Sequence, residues 1–339
     1  GLEGTLWFGG ANGYVAHLDK GTVSTFGEGE SVLSSNVLAL MPARGGDLWV
    51  GTSASGLARL RGQDWLHLTT DDGLPSNAVR ALCEDREGQL WVGTAGGGLT
   101  CLRPKRLETI TTRDGLSHNA IMALCNDREG VVWIGTHGGG LNRWDAKGAS
   151  RRAPSYLLDN QSISSLAVRR DGTFWLGTSG RGAYRLRQDA AGPLTEVAGL
   201  PGKVVTALCE DQGGRLWFGT LDGGPACLDG EQMTFPPGIA ALAGQPVTSI
   251  IADLSGQVWF GTNGHGVARL DFAGKLDRWT RDDGLASSFV RTLREDSTGT
   301  VWAGTSGGLT RWKGGTIFNF TDRHGLPDNV VSQVMDDGA

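Results

Sequence analysis

The chain contains 339 residues, of which 31 are Lys or Arg and 36 are Asp or Glu, so its formal net charge is −5. Charges of both signs are interspersed, which excludes the clustered basic surface of a nucleic-acid-binding protein. No apolar run reaches the about 18–20 residues of a membrane span. Hydrophobic residues make up 39% of the chain and Gly contributes 55 residues, which is consistent with a large core and many tight turns.

A tryptophan recurs at a fixed interval along the chain. Consecutive members are 42 residues apart, and only the last follows after 43: Trp7, Trp49, Trp91, Trp133, Trp175, Trp217, Trp259 and Trp302. Most of them lie in one phrase, such as Leu90-Trp91-Val92-Gly93-Thr94. A long internal repeat indicates one structural module that is used many times. The sequence therefore predicts a single repeat domain over residues 1–339.

One repeat, over residues 72–110, predicts four short strands joined by tight turns. The strands are expected at 78–83, at 90–94 around the tryptophan, at 99–102 and near 107–111. Four strands in about 40 residues are typical of a propeller blade, and no helical periodicity competes with this interpretation. The fold class predicted is an all-β propeller of eight four-stranded blades.

The two ends of the chain predict how the propeller closes. The chain begins at a tryptophan strand and ends with a segment, 329–334, that has the phase of a first strand. That segment can pair with the N-terminal blade, which removes an exposed sheet edge. Residues 336–339, however, resemble the turn before another tryptophan strand. Seven blades plus part of a further propeller therefore remain the alternative.

Several polar residues are best explained as turn structure. An aspartate six residues before the tryptophan recurs in five repeats, and an asparagine in the preceding turn recurs in three. Both residue types accept backbone hydrogen bonds in turns. The five cysteines occupy two repeat phases and lie in different modules, so they are expected to be small buried hydrophobes without disulfides. These residues are Asp85, Asp127, Asp211, Asp253, Asp296, Asn77, Asn119, Asn329, Cys83, Cys101, Cys125, Cys209 and Cys227.

The phrases Asp72-Gly73-Leu74-Pro75-Ser76-Asn77, Glu84-Asp85-Arg86-Glu87-Gly88 and Leu90-Trp91-Val92-Gly93-Thr94 resemble the two-component regulator propeller repeat over the whole chain. In that family, such propellers form the extracytoplasmic sensor part of bacterial signalling proteins. A membrane helix and a histidine kinase or diguanylate cyclase often follow. The resemblance therefore implies a periplasmic sensor region, and several related hybrid sensors detect carbohydrate fragments.

Candidate ligand-binding residues are those that depart from the repeat at the turns before the first strand and after the tryptophan strand. These turns share one face, which surrounds the channel mouth and is the default site for a ligand. Two arginines on first strands are added, because Arg there requires an acidic partner, water or an anion. A purely structural or solvent-exposed role is the competing interpretation for each residue. The candidates are Arg80, His118, His137, Arg181, Asp222, Asn263, His265 and Arg291.

The leading hypothesis is a ligand-sensing propeller that binds a small molecule such as an oligosaccharide. A protein-interaction scaffold is the second hypothesis. A third is an enzyme similar to the virginiamycin B lyases, which have a similar repeat and use magnesium and a histidine base; His137 or His265 would serve, with Asp222 nearby. No catalytic motif, metal spacing or cofactor motif is present, so no catalytic residue, metal or cofactor is predicted. Four tryptophans outside the repeat phase could also contact a ligand: Trp65, Trp144, Trp279 and Trp312.

Overall fold

In the computed structural model, the described residues are 6–19, 22–26, 33–103, 106–127, 130–145, 148–151, 158, 160–186 and 194–336. They form eight four-stranded antiparallel sheets, each of which is one blade of an eight-bladed β-propeller. The helices within these residues are short 3-10 turns. The chain divides into two compact units, residues 32–197 and residues 1–31 with 198–339. Each unit contains four blades, and the prediction of a single domain stays a prediction.

The unit over residues 32–197 contains blades 2 to 5. Blade 2 consists of β4 (Val37–Pro42), β5 (Leu48–Thr52), β6 (Leu57–Arg61) and β7 (Asp64–Leu68), and blade 3 of β8 (Val79–Glu84), β9 (Leu90–Thr94), β10 (Gly98–Arg103) and β11 (Arg106–Ile110). Blade 4 consists of β12 (Ile121–Asn126), β13 (Val132–Thr136), β14 (Gly140–Asp145) and β15 (Gly148–Arg151), and blade 5 of β16 (Ile163–Val168), β17 (Phe174–Thr178), β18 (Ala183–Leu186) and β19 (Thr195–Glu196).

The other unit contains blades 1, 6, 7 and 8. Blade 1 consists of β1 (Leu6–Gly10), β2 (Val15–Asp19), β3 (Thr22–Phe26) and β32 (Val331–Asp336), and blade 6 of β20 (Val205–Glu210), β21 (Leu216–Thr220), β22 (Gly224–Asp229) and β23 (Gln232–Thr234). Blade 7 consists of β24 (Val247–Ala252), β25 (Val258–Thr262), β26 (Val267–Leu270) and β27 (Leu276–Trp279), and blade 8 of β28 (Val290–Glu295), β29 (Val301–Thr305), β30 (Gly308–Lys313) and β31 (Thr316–Phe320).

The 3-10 turns lie between blades or next to β1. They span Ala11–Gly13, Thr70–Asp72, Thr112–Asp114, Pro237–Leu242, Arg281–Asp283 and Asp322–His324.

The C-terminal strand completes the N-terminal blade, as the sequence predicts. Strand β32 pairs antiparallel with β1, with Trp7 opposite Met335 and Phe8 opposite Val334. The described residues contain eight blades, so the seven-blade alternative is wrong for them. Residues 337–339, on which the suggestion of a further repeat partly rested, lie outside the described residues.

Six of the eight repeated tryptophans are buried, and in five of these six an aspartate accepts the indole N–H. Trp91 Nε1 donates to Asp85 Oδ2 at 2.8 Å, and the other carboxylate oxygen accepts the backbone N–H groups of Glu87 and Gln89 at 2.9 Å. The same indole bond recurs with Asp127, Asp211, Asp253 and Asp296. The predicted turn role is therefore confirmed, and the bond to the tryptophan is an addition to it.

Neighbouring blades within a unit approach closely at the glycine of the tryptophan phrase. A Cβ on Gly93 would lie 2.7 Å from Ile121 Cγ2 of the next blade, and one on Gly51 would lie 2.6 Å from Val79 Cγ1. Real Cβ atoms do not tolerate these distances, so the position requires glycine. Core clusters lie between neighbouring blades, as where Trp91 is buried with Ile121 and Ile134.

A β-bulge occurs at the second residue of every first strand. The register shifts between Val79 and Ala81, for example, so Arg80 lies at the bulge. A bulge redirects its side chain and leaves it outside the regular pairing. The bulged residues are Leu38, Arg80, Met122, Ser164, Thr206, Thr248, Arg291 and Ser332.

The turn phrase before the first strand also has a local explanation. Thr69 and Asp72 form a capping box, and Gly73 follows with a left-handed φ of 99°. Leu74 is buried, and Asn77 Oδ1 accepts the backbone N–H of Thr70 at 2.8 Å. Asn119 and Asn329 make the equivalent bonds, so the predicted turn role of the three asparagines is confirmed.

None of the five cysteines, all of which are described, forms a disulfide, as predicted. Cys101 and Cys227 are completely buried, and the other three are partly buried. Burial raises the pKa of Cys83, Cys125 and Cys209 to about 11, which keeps their thiols protonated near neutral pH.

The turns after each first strand and each third strand, here called the lower turns, are linked between neighbouring blades. Glu84 Oε2 accepts the backbone N–H of Arg44 at 3.0 Å, and Glu295 Oε2 accepts that of Leu254 at 2.7 Å. Burial raises the pKa of Glu295 to about 7, with the nearby Asp253 and Asp296 carboxylates adding to the effect.

We expect Asp85→Ala to lower the free energy of unfolding by about 1–3 kcal/mol, because three N–H groups, one of them a buried indole, lose their acceptor. Asp271→Ala is the matched control, since among the described residues the Asp271 carboxylate accepts one hydrogen bond, from the backbone N–H of Lys275. It should cost about 1 kcal/mol or less. Urea unfolding measures both. Equal losses would contradict the role assigned to the indole bond.

We also expect Glu295→Gln to remove a pH dependence of stability. The ordinary pKa of Glu is 4.5, so ionisation above that pH is less favourable in the folded chain than in the unfolded chain. The wild type should therefore lose stability relative to Glu295→Gln as pH rises from about 4.5 to about 7, and keep a constant deficit above that range. Thermal unfolding from pH 5 to pH 8 checks this, with Glu84→Gln as the control at the same repeat position. Parallel curves for wild type and Glu295→Gln would refute it.

Candidate functional site

The turns before each first strand and after each second strand, here called the upper turns, lie side by side within a blade. The residue that follows the tryptophan phrase donates its backbone N–H to the residue that precedes the first strand. His137 N donates to Ala120 O at 2.9 Å, and Asn263 N donates to Pro246 O at 2.9 Å. Five other blades repeat this bond. The side chains of the two turns therefore belong to one edge of each blade.

The buried threonine of the tryptophan phrase stabilises the upper turn through hydrogen bonds of its hydroxyl group. Thr136 is completely buried, and its hydroxyl donates to Gly140 O at 2.8 Å. In blade 5, Thr178 Oγ1 donates to Gly182 O and accepts the backbone N–H of Arg181 at 2.9 Å. The backbone of these turns is thus held by buried bonds, and the exposed side chains are free to vary.

His118 combines a structural bond with an outward donor. Its Nδ1 accepts the backbone N–H of Ala120 at 2.9 Å. Ser76 and Ser287 make the equivalent bond with a hydroxyl in other blades. Because a backbone N–H can only donate, Nδ1 carries the lone pair and the neutral ring has its proton on Nε2. The ring is exposed, so a histidine here adds an N–H donor that a serine lacks.

His137 lies beside His118, with ring centroids 6.2 Å apart and ring planes at 73°. His137 Nδ1 is 3.0 Å from Ser162 Oγ, and that hydroxyl also accepts the backbone N–H of Gly138 at 3.1 Å. The turn backbone packs tightly here, since a Cβ on Gly139 would lie 2.6 Å from Ser117 Oγ and 2.7 Å from His118 Cβ. Two imidazoles and a hydroxyl therefore form one polar cluster, which we call the histidine pair site.

The other two candidates of this unit, Arg80 and Arg181, are exposed. Arg80 lies at the bulge of β8 and Arg181 in the upper turn of blade 5. Among the residues that the structure describes, neither guanidinium is joined to the histidine pair.

In the other unit, Asp222 has a clear structural role. Its carboxylate oxygens accept the backbone N–H groups of Lys203 and Val204 at 3.0 and 3.2 Å. Gly202 makes room for it, because a Cβ there would meet the carboxylate. Burial alone would raise the pKa of Asp222, but these backbone bonds hold it below the usual value.

The remaining candidates of this unit are exposed at the upper turns or at a bulge. Asn263 bridges to Phe289, which is 53% exposed. Arg291 Nε donates to Ser306 Oγ at 3.1 Å. His265 is exposed two residues after Asn263. Within the described ranges, no group of three or more His, Cys, Asp or Glu is placed to hold a metal ion.

Sequence reasoning missed two features of the molecule. Ser162, which bonds His137, was not among the candidate residues, and only the fold brings the two together. An arginine on the third strand also lies over the repeated tryptophan in several blades, as Arg59 does over Trp49 at 5.6 Å. The recurrence of arginine ten residues after the tryptophan was the available signal.

The sequence pattern of the two-component regulator propeller matches residues 73–96, 115–138, 199–222 and 284–307. Each match begins in an upper turn and ends in the next one, so it spans the first two strands of blades 3, 4, 6 and 8. In these four blades the sequence matches the two-component regulator propeller repeat. The predicted resemblance is thereby confirmed for them.

Several solved structures have a fold similar to that of this chain. The extracellular domain of a putative one component system from B. thetaiotaomicron is 17% identical with a TM-score of 0.56, over 94% of this chain and 52% of that one. PorZ, a surface component of the type-IX secretion system of Porphyromonas gingivalis, is 17% identical with a TM-score of 0.60, over 91% and 45%. Virginiamycin B lyase from Staphylococcus aureus is 15% identical with a TM-score of 0.57, over 78% and 90%.

These likenesses concern the fold, because the identities are low. The chain spans about half the length of the B. thetaiotaomicron domain. No curated protein matches the sequence. Among the described residues, no helix has the length and apolar character that a membrane crossing requires.

We expect His118 to be the Nε2–H tautomer when neutral. The backbone N–H of Ala120 fixes Nδ1 as an acceptor, and the ring has one proton left to place. A long-range 1H–15N spectrum at pH 8 identifies the protonated nitrogen, and His118→Ala assigns the signal. A proton found on Nδ1 would contradict the turn geometry described for blade 4.

Proposed function

We propose that the chain is the ligand-binding propeller of a bacterial sensor, with a histidine kinase or diguanylate cyclase output outside this sequence. The observation that carries the proposal is the two-component regulator propeller pattern in four blades. The similarity to an extracellular domain of a putative one component system supports it. That similarity also supports an extracytoplasmic, periplasmic location. Any link to a membrane would come from segments outside this chain, and nucleic acid is not among the proposed partners.

The histidine pair site is the proposed centre of ligand binding. His118 offers an outward Nε2–H, and His137 with Ser162 adds a second imidazole and a hydroxyl within one edge. Such donors suit a ligand rich in acceptor oxygens, of which an oligosaccharide is the proposed example. Arg80 and Arg181 belong to the same unit and are proposed to act at its margin. Asn263, His265 and Arg291 stay proposed contacts in the other unit.

Asp222 is the weakest of the proposed ligand residues. Its two oxygens already accept backbone N–H groups, so its carboxylate stabilises the turn at Lys203 and Val204. The same engagement weighs against Asp222 as a magnesium ligand in a lyase-like mechanism. We therefore propose binding without catalysis and without a cofactor, and we retain magnesium as one arm of the test.

Protein docking is the second candidate, and one observation favours it. Phe289 and Leu221 are 53% and 42% exposed at upper turns of blades 8 and 6. Exposed apolar side chains near one face are a feature of protein-binding surfaces. A protein-docking function would use the unit that contains blades 6 and 8, and not the histidine pair site.

A thermal-shift screen tests the proposal, with oligosaccharides, uronic acids, amino acids, peptides and magnesium with EDTA controls. A ligand at about 100 times its Kd stabilises the folded state by about 2.7 kcal/mol. We expect one oligosaccharide class to give a saturable shift, and His118→Ser to weaken its binding about tenfold by removing one donor. His118→Ser should leave the unliganded Tm nearly unchanged, because serine makes the same turn bond in other blades.

Ser76→Ala is the matched control. It removes the equivalent turn bond from blade 3 and should lower the Tm without changing ligand affinity. Unchanged affinity in His118→Ser would contradict the histidine pair site. The absence of any small-molecule shift would favour protein docking, and a magnesium-specific shift with turnover would favour the lyase.

A further inference from the structure

A cavity of about 270 Å³ lies between blades 7 and 8, at the lower turns. Its walls include three tryptophans. Trp259 and Trp279 are stacked, with centroids 5.6 Å apart and planes at 17°, and Trp312 lies 5.4 and 5.9 Å from them at steep angles. The exposed turn residues Ser255 and Gly314 also line the cavity, so it opens to solvent at the lower turns.

Two buried donors of this cavity have no acceptor. Trp312 is 7% exposed, and its Nε1 has no hydrogen-bond partner among the described residues. The Nε of Arg269, which also lines the cavity, is buried and unpaired in the same way. A buried donor without a partner costs free energy, and an acceptor supplied by a ligand would remove that cost. By contrast, the indole of Trp259 donates to Asp253 Oδ2 at 2.7 Å.

The charges around the cavity are paired within the protein. Arg269 Nη2 is 2.6 Å from Asp277 Oδ2, and Lys275 Nζ is 2.8 Å from the other oxygen of that carboxylate. Asp253 accepts from Trp259 and from the backbone of Gln257. A cation is disfavoured further because Arg269 already lies over Trp259 and Trp279, at 5.4 and 5.3 Å. An uncharged ligand meets these conditions best.

The fold alone explains part of this arrangement. An arginine lies over the repeated tryptophan in other blades too, and Arg59 even has the same unpaired Nε over Trp49. Blade 7 differs because Trp279 is stacked on Trp259, and blade 8 differs because Trp312 closes the wall with a free indole N–H. The additional tryptophans Trp279 and Trp312, and not the arginine by itself, therefore indicate a ligand-binding site.

We propose that this cavity binds a small uncharged ring compound with several hydroxyl oxygens, which accept from Trp312 Nε1 and Arg269 Nε while its carbon face packs against the indoles. The volume suits a single six-membered ring, since it lies just below the range of about 300–1,000 Å³ for drug-sized ligands. The site is independent of the function proposed above, because it uses the lower turns and other residues.

Titration of the full chain with methyl β-glucopyranoside and myo-inositol tests the proposal. Calorimetry gives the affinity, and the indole N–H resonance of Trp312, assigned with Trp312→Phe, reports contact at the site. At least one of the two compounds should bind and shift that resonance. Choline and glucuronate, which carry a positive and a negative charge, should bind at least tenfold more weakly.

Two variants and two matched controls locate the binding. Trp312→Phe and Arg269→Lys each remove one donor and should weaken binding about tenfold or more. Trp144→Phe and Arg59→Lys change similar residues outside the cavity and should leave affinity unchanged. Binding that is lost in His118→Ser but kept in Trp312→Phe would place the compound at the upper turns and overturn this proposal. Failure of both compounds to bind, or stronger binding of choline or glucuronate, would also overturn it.

Discussion

The fold depends on an indole that is buried between sheets while its N–H stays bonded. An unsatisfied indole N–H would offset part of the stability gained from burying the ring. The aspartate six residues earlier solves this problem locally, since Asp85 accepts from Trp91 and also from two backbone N–H groups of the intervening turn. One carboxylate thus couples the shape of the turn to the position of the ring. Because the aspartate, the turn and the tryptophan all lie within one hairpin, a sequence can repeat these bonds in one blade after another.

This local solution leaves other positions free for function. The glycine at which neighbouring blades approach, the bulge of the first strand and the buried threonine each satisfy a requirement of the backbone. At the exposed position of His118, the turn requires only one acceptor, for the backbone N–H of Ala120. His118 illustrates the consequence, because it supplies the acceptor that Ser76 supplies in blade 3 and adds a donor that faces outward. A functional residue can therefore replace a structural one at little cost to stability.

The sequence was sufficient wherever the determining interactions are local or periodic. The period of the tryptophan predicted eight blades, and the phase of residues 329–334 predicted that this segment pairs with the N-terminal blade, as β32 does with β1. Interactions between residues that are far apart in the sequence could not be predicted from it. Asp222 looked like a ligand residue because it departs from the repeat, yet its partners are backbone groups of Lys203 and Val204, which no spacing rule identifies. Ser162 reaches His137 from 25 residues away for the same reason.

The tryptophans outside the repeat phase show how departures from a repeat acquire meaning. Trp144 and Trp312 both lie on third strands, and Trp144 packs edge-on against the repeated Trp91 of the preceding blade at 5.7 Å. Trp312 contacts Trp259 in the same way, but Trp279 adds a second ring to that contact, and a cavity separates the lower turns there. Packing alone requires an aromatic ring, and phenylalanine would supply one without a buried donor. The indole N–H of Trp312 therefore carries a cost that the fold does not require, and an acceptor supplied by a ligand would remove it.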